Sequence, residues 1–273
     1  IMIGFYNENY TDIGHLSLPI CSTTINRSYA AFEFFTLVNH KPFYLDRHLN
    51  RLFQTLDILR IRLDYDNNKL IEIIQQLILQ NPTENISYKI FVIPEPISNF
   101  DFFKADLFIF PIINPLKEPI SFKTGAKLLL KAYSRFLPEA KTTNYTAYVY
   151  WENEVQHQQA IDVLYFDANF IKETSRSNIF IVKNNTIYTP KKSVLKGITR
   201  SITIDLIQKN KQNFIEKEIT VDELLLADEV FVTSTTREIM PISLIDATLI
   251  NQGKIGKITQ QLMTDFITLK NNY

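Results

Sequence analysis

The sequence predicts a mixed fold of α+β and α/β type, built as two domains. Short runs rich in aromatic and β-branched residues, which are typical of strands, alternate with segments whose apolar residues recur at helical spacing. The length of 273 residues is enough for one large domain or two modest ones. A short proline-bearing segment, residues 114–119, is the best candidate for a linker, and it predicts an N-terminal domain over residues 1–113 and a C-terminal domain over residues 120–273.

The first half has the pattern of an α+β unit. Aromatic and branched side chains crowd residues 30–38 and predict a buried strand, and strand-like runs return at 86–93 and 105–113. A turn is expected at 39–42. Two sets of apolar residues show helical spacing: Leu45, Leu49, Leu52, Phe53 and Leu56, and then Leu70, Ile73, Ile74, Leu77 and Ile78.

The second half alternates strands and helices in shorter steps. Strands are expected at 127–132, 161–166, 177–182, 186–189 and 229–232, and helices at 143–158, 197–209 and 255–269. Thr220 and Glu223 have the spacing of a capping box, in which the hydroxyl and the carboxylate each cap a free amide, so a short helix is expected there.

Composition argues against several classes of partner. Hydrophobic residues make up 45% and charged residues 21%, and 29 basic residues balance 29 acidic ones. A net charge of zero favours neither nucleic acid nor an anionic membrane as partner. The single cysteine, Cys21, excludes an internal disulfide framework and suits a reducing compartment. We see neither a signal peptide nor a run of about 18 apolar residues, so a cytoplasmic protein is expected.

Several common kinds of chemistry lack their motifs in this sequence. With six glycines there is no G-x-G-x-x-G and no G-x-x-x-x-G-K, the glycine-rich cradles for phosphate. No G-x-S-x-G nucleophile elbow occurs. The histidines show no metal-ligand spacing, so no metal site is expected; they are His15, His40, His48 and His157.

Four features of the second half follow one another in an informative order. Lys141 stands between a strand-like and a helix-like segment, and Glu173 precedes a strand. A helix then starts at 197–199, where free amides can bind phosphate, and a hydroxyl-rich turn follows at 233–236. Each feature alone is more typical of a surface residue or an ordinary turn. Together, an amine, a carboxylate and two phosphate-type sites are the parts needed to hold pyridoxal phosphate.

At these residues the chain resembles the fold-type IV pyridoxal-phosphate enzymes, which include branched-chain aminotransferases, D-amino-acid aminotransferases and 4-amino-4-deoxychorismate lyases. The resemblance covers nearly the whole chain and implies a two-domain architecture like that of the D-amino-acid aminotransferases. The family patterns F-E, N-G-K-P-F, H-x-x-R-L, K-x-x-N-Y, E-x-x-x-S-N-x-F, L-x-G-I-T-R and F-x-T-S-T-T-x-E-x-x-P-I are similar to residues 32–33, 39–43, 48–52, 141–145, 173–180, 195–200 and 231–242.

The resemblance implies a role for each cofactor-binding residue. Lys141 would form the Schiff base with pyridoxal 5′-phosphate and move the proton during the reaction. Glu173 would stay ionised beside the protonated pyridine nitrogen, and Tyr145 would hydrogen-bond the phenolic oxygen. The phosphate would be held by the Arg51 guanidinium, by amides of Ile198 and Thr199, and by hydroxyls of Thr199 and Thr235.

On the substrate side the pattern is less complete. The amides of Thr235 and Thr236 would face the substrate carboxylate, and Tyr88 would reach it unless it is a buried strand tyrosine. The family commonly has Gly-Asp-Gly where this chain has residues 28–30, and Thr36 replaces an arginine of the branched-chain enzymes. Residues 88–96 lack the arginine-bearing patterns of both aminotransferase groups, and Lys89 resembles the lyases.

The leading hypothesis is therefore an aminotransferase that moves an amino group between an amino acid, of branched-chain or D-amino-acid type, and a 2-oxo acid. The alternative is a 4-amino-4-deoxychorismate lyase that releases pyruvate and 4-aminobenzoate. A third hypothesis is a protein that binds the cofactor without turnover, because residues 28–30 depart from the family pattern. A homodimer is implied by the resemblance alone.

Overall fold

The computed structural model describes residues 1–83, 85–95, 103–114 and 119–273. Most of the predicted linker, residues 115–118, lies outside the described residues, as does Pro96 at the end of the 88–96 segment. The chain forms two compact units. Unit 1 comprises Ile1–Pro115 and Ala140–Asn144, and unit 2 comprises Leu116–Glu139 and Tyr145–Tyr273. Both units combine helices with a sheet, so the predicted mixed class is confirmed.

Unit 1 places two long helices among the strands of one sheet. In chain order its elements are β1 (Ile3–Tyr6), β2 (Asn9–Asp12), a 3₁₀ turn (Ile13–His15), α1 (Thr23–Arg27), β3 (Ala31–Val38), β4 (Lys41–Pro42), α2 (Leu45–Ile58), β5 (Ile61–Arg62), α3 (Asn67–Gln80), β6 (Ile86–Pro94) and β7 (Phe103–Ile113). Within the described residues the strand order is β2-β1-β7-β6-β3-β4, and β5 pairs with β7 in parallel.

The two faces of the unit 1 sheet differ in chemistry because side chains alternate along each strand. On β3, Glu33 and Phe35 are fully buried, and Glu33 contacts helix α2. Phe32 points to the opposite face, where it lies beside Phe91 of β6. Apolar residues of α2 and α3, such as Leu52 of α2, are buried by the same packing.

A buried ion pair joins β3 to α2. Arg51 donates to Glu33 from Nε (2.9 Å) and Nη2 (2.6 Å), and His48 Nδ1 lies 3.0 Å from the same carboxylate. Burial raises the pKa of Glu33, but the Arg51 guanidinium and His48 outweigh burial and hold that pKa well below its usual range. Burial also lowers the pKa of His48, so the imidazole is neutral near pH 7.

Unit 2 is built on a larger sheet. Its elements are α4 (Pro119–Thr124), β8 (Ala126–Ala132), α5 (Thr146–His157), β9 (Asp162–Asp167), β10 (Phe170–Thr174), β11 (Asn178–Lys183), β12 (Thr186–Pro190), α6 (Ile198–Lys209), β13 (Asn213–Lys217), α7 (Val221–Leu225), β14 (Glu229–Ser234), β15 (Glu238–Ile245), β16 (Thr248–Leu249), a 3₁₀ turn (Asn251–Gly253) and α8 (Lys257–Asn271). The strand order within the described residues is β10-β9-β8-β15-β14-β11-β12-β13, and β16 pairs with β15.

Strand directions bring many strand ends of unit 2 to one edge of the sheet. Strand β9 is parallel to β8, which is parallel to β15, whereas β10, β14 and β12 run the opposite way to their neighbours β9, β15 and β11. The starts of β9, β11 and β15 therefore lie at the same edge as the ends of β10, β12 and β14. Branched and apolar side chains from these strands form the core, among them Leu128, Leu164, Ile179, Val232 and Ile242.

Most predicted elements are found within a few residues of the expected bounds, and the capping box of Thr220 and Glu223 is present. Strand β15 was not predicted. It contains Pro241, which argues against a central strand because proline has no amide hydrogen to donate. The structure accommodates Pro241 because β8 pairs with β15 only from Ile242 onward. No helix in the described part of the chain is long and apolar enough to cross a bilayer.

The buried pair in unit 1 predicts a loss of stability in Glu33→Gln. Removing the carboxylate leaves the Arg51 guanidinium buried without its counter-charge, so we expect the free energy of unfolding to fall by about 3–5 kcal/mol in urea titrations at pH 7. Glu72→Gln is the control, since Glu72 forms an exposed pair with Lys69 and its loss is expected to cost less than about 1 kcal/mol.

The sign of the pH dependence follows from the lowered pKa of Glu33. Its contribution is complete above the unfolded-state value, near 4.5, and declines as the pH falls below that value. The stability difference between wild type and Glu33→Gln should therefore be smaller at about pH 3 than at about pH 7. Equal differences at the two pH values would contradict the ion-pair account.

Candidate active site

Glu173 lies in unit 2 at the sheet edge where strand ends meet. It is the penultimate residue of β10 and is 4% exposed. Its Oε1 accepts a hydrogen bond from Arg135 Nη1 at 2.8 Å, and its Oε2 accepts one from the Leu195 amide at 2.9 Å. Charge-assisted donors stabilise an ionised carboxylate. The predicted acid is therefore inside a strand, rather than at a strand entrance, and is held in one orientation.

Tyr145 precedes helix α5 and belongs to the same region of unit 2. Burial raises the pKa of its phenol, and the Arg135 guanidinium opposes this while Glu173 adds to it. The hydroxyl is therefore protonated at neutral pH and can donate a hydrogen bond. The structure thus brings two of the predicted residues, Tyr145 and Glu173, into one electrostatic environment with Arg135.

The start of helix α6 is shaped by Asn178, the first residue of β11. Asn178 Nδ2 donates to the Leu195 carbonyl at 2.7 Å, and its Oδ1 accepts from the Gly197 amide at 3.2 Å. A Cβ atom on Gly197 would lie 2.2 Å from that Oδ1, so only glycine fits. Among the described residues no side chain caps this helix end, which leaves its first amides, at Ile198 and Thr199, available to an anion.

The hydroxyl-rich turn follows β14 at the same edge. Thr235 is half-buried and Thr236 is exposed. Before them, Thr233 is 2% exposed, pairs with Asn178 across the sheet, and has no hydrogen-bond partner for its Oγ1 among the described residues. Ser234 Oγ accepts from the amide of Arg237 at 3.3 Å and closes the turn.

An acid that the sequence did not indicate lies beneath this edge. Asp162, the first residue of β9, is fully buried and accepts from Ser175 Oγ (2.5 Å), Thr174 Oγ1 (3.1 Å) and Arg237 Nη1 (2.7 Å). The partners lie 12 to 75 residues away in the chain, so no local spacing signals the cluster. The hydroxyls belong to the bend that follows Glu173.

Lys141 lies in unit 1, on a segment bound to the start of β3. Its carbonyl accepts from the Phe32 amide at 3.0 Å, and its amide donates to Thr55 Oγ1 at 3.1 Å. The half-buried side chain places Nζ 4.3 Å from the centre of the Phe32 ring. The backbone of this lysine is therefore fixed by two elements, and its amine rests on an aromatic face that limits the access of water.

Arg51 and Tyr88, the other predicted residues of unit 1, are both buried. The Arg51 fork is oriented by Glu33, as described above. The structure does not support a substrate contact by Tyr88, which is fully buried, stacks on Phe35 and donates to the Leu77 carbonyl at 3.1 Å. The sequence left a buried strand tyrosine as the other possibility, and core packing against α3 is its physical reason.

Lys89 occupies the aromatic face of the unit 1 sheet, beside the residues just described. Its Nζ lies 5.2 Å from the centre of the Phe32 ring and 4.7 Å from that of Phe91. Burial lowers the pKa of this lysine. Phe32 is thus contacted by two ammonium groups, those of Lys89 and Lys141.

The chemistry of these groups fits the cofactor that the sequence implied. Unit 2 offers an oriented carboxylate for a protonated ring nitrogen and an uncapped helix end for a phosphate, and unit 1 offers an amine on an aromatic face. Across the described ranges, no group of three or more His, Cys, Asp or Glu side chains is arranged to hold a metal ion.

Comparison with known proteins gives consistent results. Residues 30–245 match the family model of the class IV aminotransferases. The D-alanine aminotransferase of Bacillus licheniformis is 29% identical over 242 residues, which cover 85% of this chain and 84% of that protein. That of Listeria monocytogenes is 28% identical over 250 residues, which cover 86% of this chain and 85% of that protein.

Among solved structures, the branched-chain aminotransferase of the thermophilic archaeon Thermoproteus uzoniensis, solved with norvaline, has a TM-score of 0.89. The match covers 98% of this chain and 94% of that one at 22% identity, and it confirms the fold-type IV architecture. A branched-chain enzyme solved with pyridoxamine 5′-phosphate matches equally well. None of these comparisons favours the lyase alternative. The chain therefore belongs to the class IV aminotransferases, a family of enzymes that depend on pyridoxal 5′-phosphate.

Proposed function

We propose that this aminotransferase binds pyridoxal 5′-phosphate and moves an amino group between a D-amino acid and a 2-oxo acid in a ping-pong cycle. The observation that carries the proposal is the family match over residues 30–245, which includes every residue to which we assign a role. D-Alanine is the first substrate to test, because both D-alanine aminotransferases described above are similar along more than four fifths of the chain.

Branched-chain L-amino acids are the second candidate. The fold neighbours described above are branched-chain enzymes, but at 22% identity this likeness supports the fold alone. Thr36 stands where branched-chain enzymes use an arginine, which favours the D-amino-acid assignment. The two candidates differ in the handedness of the α-carbon, so a substrate panel separates them.

In unit 1, Lys141 is the catalytic residue. Its amine binds the cofactor aldehyde, and once displaced by substrate it carries the proton to and from the α-carbon. The Phe32 ring beneath Nζ keeps water from the amine, which favours the neutral, nucleophilic form. When bound, pyridoxal phosphate supplies an electron sink for the charge left on the α-carbon. Arg51, oriented by Glu33, binds phosphate through its planar fork.

In unit 2, Glu173 faces the pyridine nitrogen and keeps it protonated, because Arg135 and the Leu195 amide hold the carboxylate ionised and oriented. Tyr145 donates to the phenolic oxygen. The amides of Ile198 and Thr199 and the hydroxyls of Thr199 and Thr235 bind the phosphate.

The substrate carboxylate is bound by the amides of Thr235 and Thr236, which lie in the turn after β14. We infer that the domain division at residues 114–119, the homodimer and the cytoplasmic location, all expected from the sequence, also apply to this chain. Each of them is open to test by limited proteolysis, sedimentation and fractionation.

The first experiment follows the absorbance of the purified protein loaded with pyridoxal phosphate while D- and L-amino acids are added. Conversion to the pyridoxamine form by D-alanine, with little or none by L-valine or L-leucine, is the expected result. Conversion by the L-amino acids alone would replace D-amino acids by the branched-chain candidate. A spectrum that ignores the whole panel would contradict the transamination itself.

Lys141→Ala should abolish this conversion, because the amine both binds the cofactor and carries the proton. We expect loss of the absorbance of lysine-bound cofactor and a fall in kcat of at least about 100-fold. The control is Lys192→Ala, an exposed lysine of the same unit as Glu173, which should keep wild-type turnover. Full activity in Lys141→Ala would overturn the assignment.

Glu173→Gln should lower kcat by about 100- to 1,000-fold, because an amide cannot stabilise the protonated ring nitrogen. Stopped-flow absorbance of the half-reaction measures this effect directly. Glu154→Gln is the matched control, since Glu154 is a half-exposed carboxylate paired with Lys131 at the unit 2 surface. If Glu173→Gln and Glu154→Gln behaved alike, Glu173 would have no role at the ring nitrogen.

A further inference from the structure

We propose that Arg237 is a positioning residue for substrate binding: through its buried pair with Asp162 it holds the Thr235–Thr236 turn in the conformation that binds the substrate carboxylate. The inference rests on the proposed function of that turn. Arg237 stands directly after Thr236 in the chain, and the family pattern leaves its position unspecified.

The Arg237 side chain turns inward instead of extending into water. Its side chain is 16% exposed, and Nη1 donates to Asp162 Oδ2 at 2.7 Å while Nη2 donates to the Ile161 carbonyl at 2.6 Å. Nη1 also lies 3.3 Å from Ser177 Oγ. The guanidinium therefore ties the turn after β14 to the starts of β9 and β11.

The backbone of Arg237 is held as well. Its amide donates to Ser234 Oγ at 3.3 Å, so the four residues from Ser234 to Arg237 form a closed turn. Thr235 and Thr236 lie between these two anchors. A peptide segment that is fixed at both ends loses little entropy when its amides bind an anion, which is the physical benefit of holding the turn in advance.

Asp162 makes this anchor firm because its charge is fully buried. A carboxylate without water must be paired, and Arg237 is the cation at its Oδ2. The remaining hydrogen bonds come from the Ser175 and Thr174 hydroxyls and from the Val163 amide at 2.8 Å. The pair cannot loosen without exposing an unpaired charge in the core.

The same carboxylate also holds the bend that follows Glu173, since Thr174 and Ser175 are the next two residues. Asp162 thus contacts both the substrate-side turn and the cofactor-side bend, whereas Arg237 belongs to the turn alone. The two residues should therefore differ in effect. Loss of Arg237 should alter substrate affinity, and loss of the Asp162 charge should alter substrate affinity and the cofactor spectrum together.

An ion pair needed only for folding would behave differently. It would reduce the fraction of folded protein, and so the apparent kcat for every substrate, but would leave KM unchanged in the molecules that fold. A positioning role instead raises KM for both the amino acid and the 2-oxo acid, because each carries the carboxylate that the turn binds. The split between KM and kcat is therefore the decisive readout.

The experiment uses the full chain loaded with pyridoxal phosphate and compares Arg237→Met with Arg237→Lys and Asp162→Asn. We expect Arg237→Met to raise KM for D-alanine and for its 2-oxo acid acceptor by about 10- to 100-fold, with kcat changed less than about threefold. Arg237→Lys, which restores one charged donor, should recover part of the lost affinity. Asp162→Asn should raise KM and also shift the absorbance of the bound cofactor.

Two further variants sharpen the test. The double variant Asp162→Asn/Arg237→Met should raise KM no more than the stronger single variant, because the two residues act as one pair. Lys183→Met is the matched control: it removes an ion pair with Asp228 at an exposed site of unit 2 and should leave KM unchanged.

The outcomes separate this inference from the proposed function. A wild-type enzyme that converts no amino acid overturns the proposed function. Wild-type turnover with an unchanged KM in folded Arg237→Met, or in Arg237→Lys and Asp162→Asn if Arg237→Met does not fold, overturns the positioning role alone. Additive KM effects in the double variant would also overturn it, since they would show two independent contributions.

Discussion

Much of this structure depends on one constraint: a carboxylate that is removed from water must be paired with a cation and with hydrogen-bond donors. Three carboxylates are buried in this way, and each is paired with an arginine distant in sequence. Glu33 pairs with Arg51 in unit 1, while Glu173 pairs with Arg135 and Asp162 with Arg237 in unit 2. Each pair joins elements that would otherwise be held together by apolar packing alone.

The pairs lie next to the residues with proposed roles. Glu33 follows Phe32, whose ring carries the Lys141 amine. Asp162 holds the hydroxyls that follow Glu173 and the arginine that follows Thr236. Apolar contacts allow small sliding movements, whereas a charge pair with fixed hydrogen bonds has one geometry. In this enzyme the positions of functional groups are therefore set by electrostatics within a scaffold that apolar packing builds.

Local sequence patterns were sufficient for much of the fold. The helical spacing of Leu45 to Leu56, the aromatic run before it and the capping box at Thr220 are all present, because each depends on neighbours within a few residues. Strand β15 was missed because Pro241 argues against a central strand, and only the late start of its pairing with β8 makes room for it. Tyr88 was offered a substrate contact because the sequence does not tell which face of a strand an aromatic residue occupies.

The sequence by itself determined the family and the kinds of groups at the candidate site, because the motifs around Lys141, Glu173, Gly197 and Thr235 occur as short contiguous patterns in a particular order. Tertiary structure alone decided which cations pair with the buried acids. Arg135 lies 38 residues from Glu173 and Arg237 lies 75 residues from Asp162, and nothing local distinguishes these arginines from exposed ones. The physical reason is that pairing follows from which strand ends share an edge of the sheet, and that is a property of topology rather than of spacing along the chain.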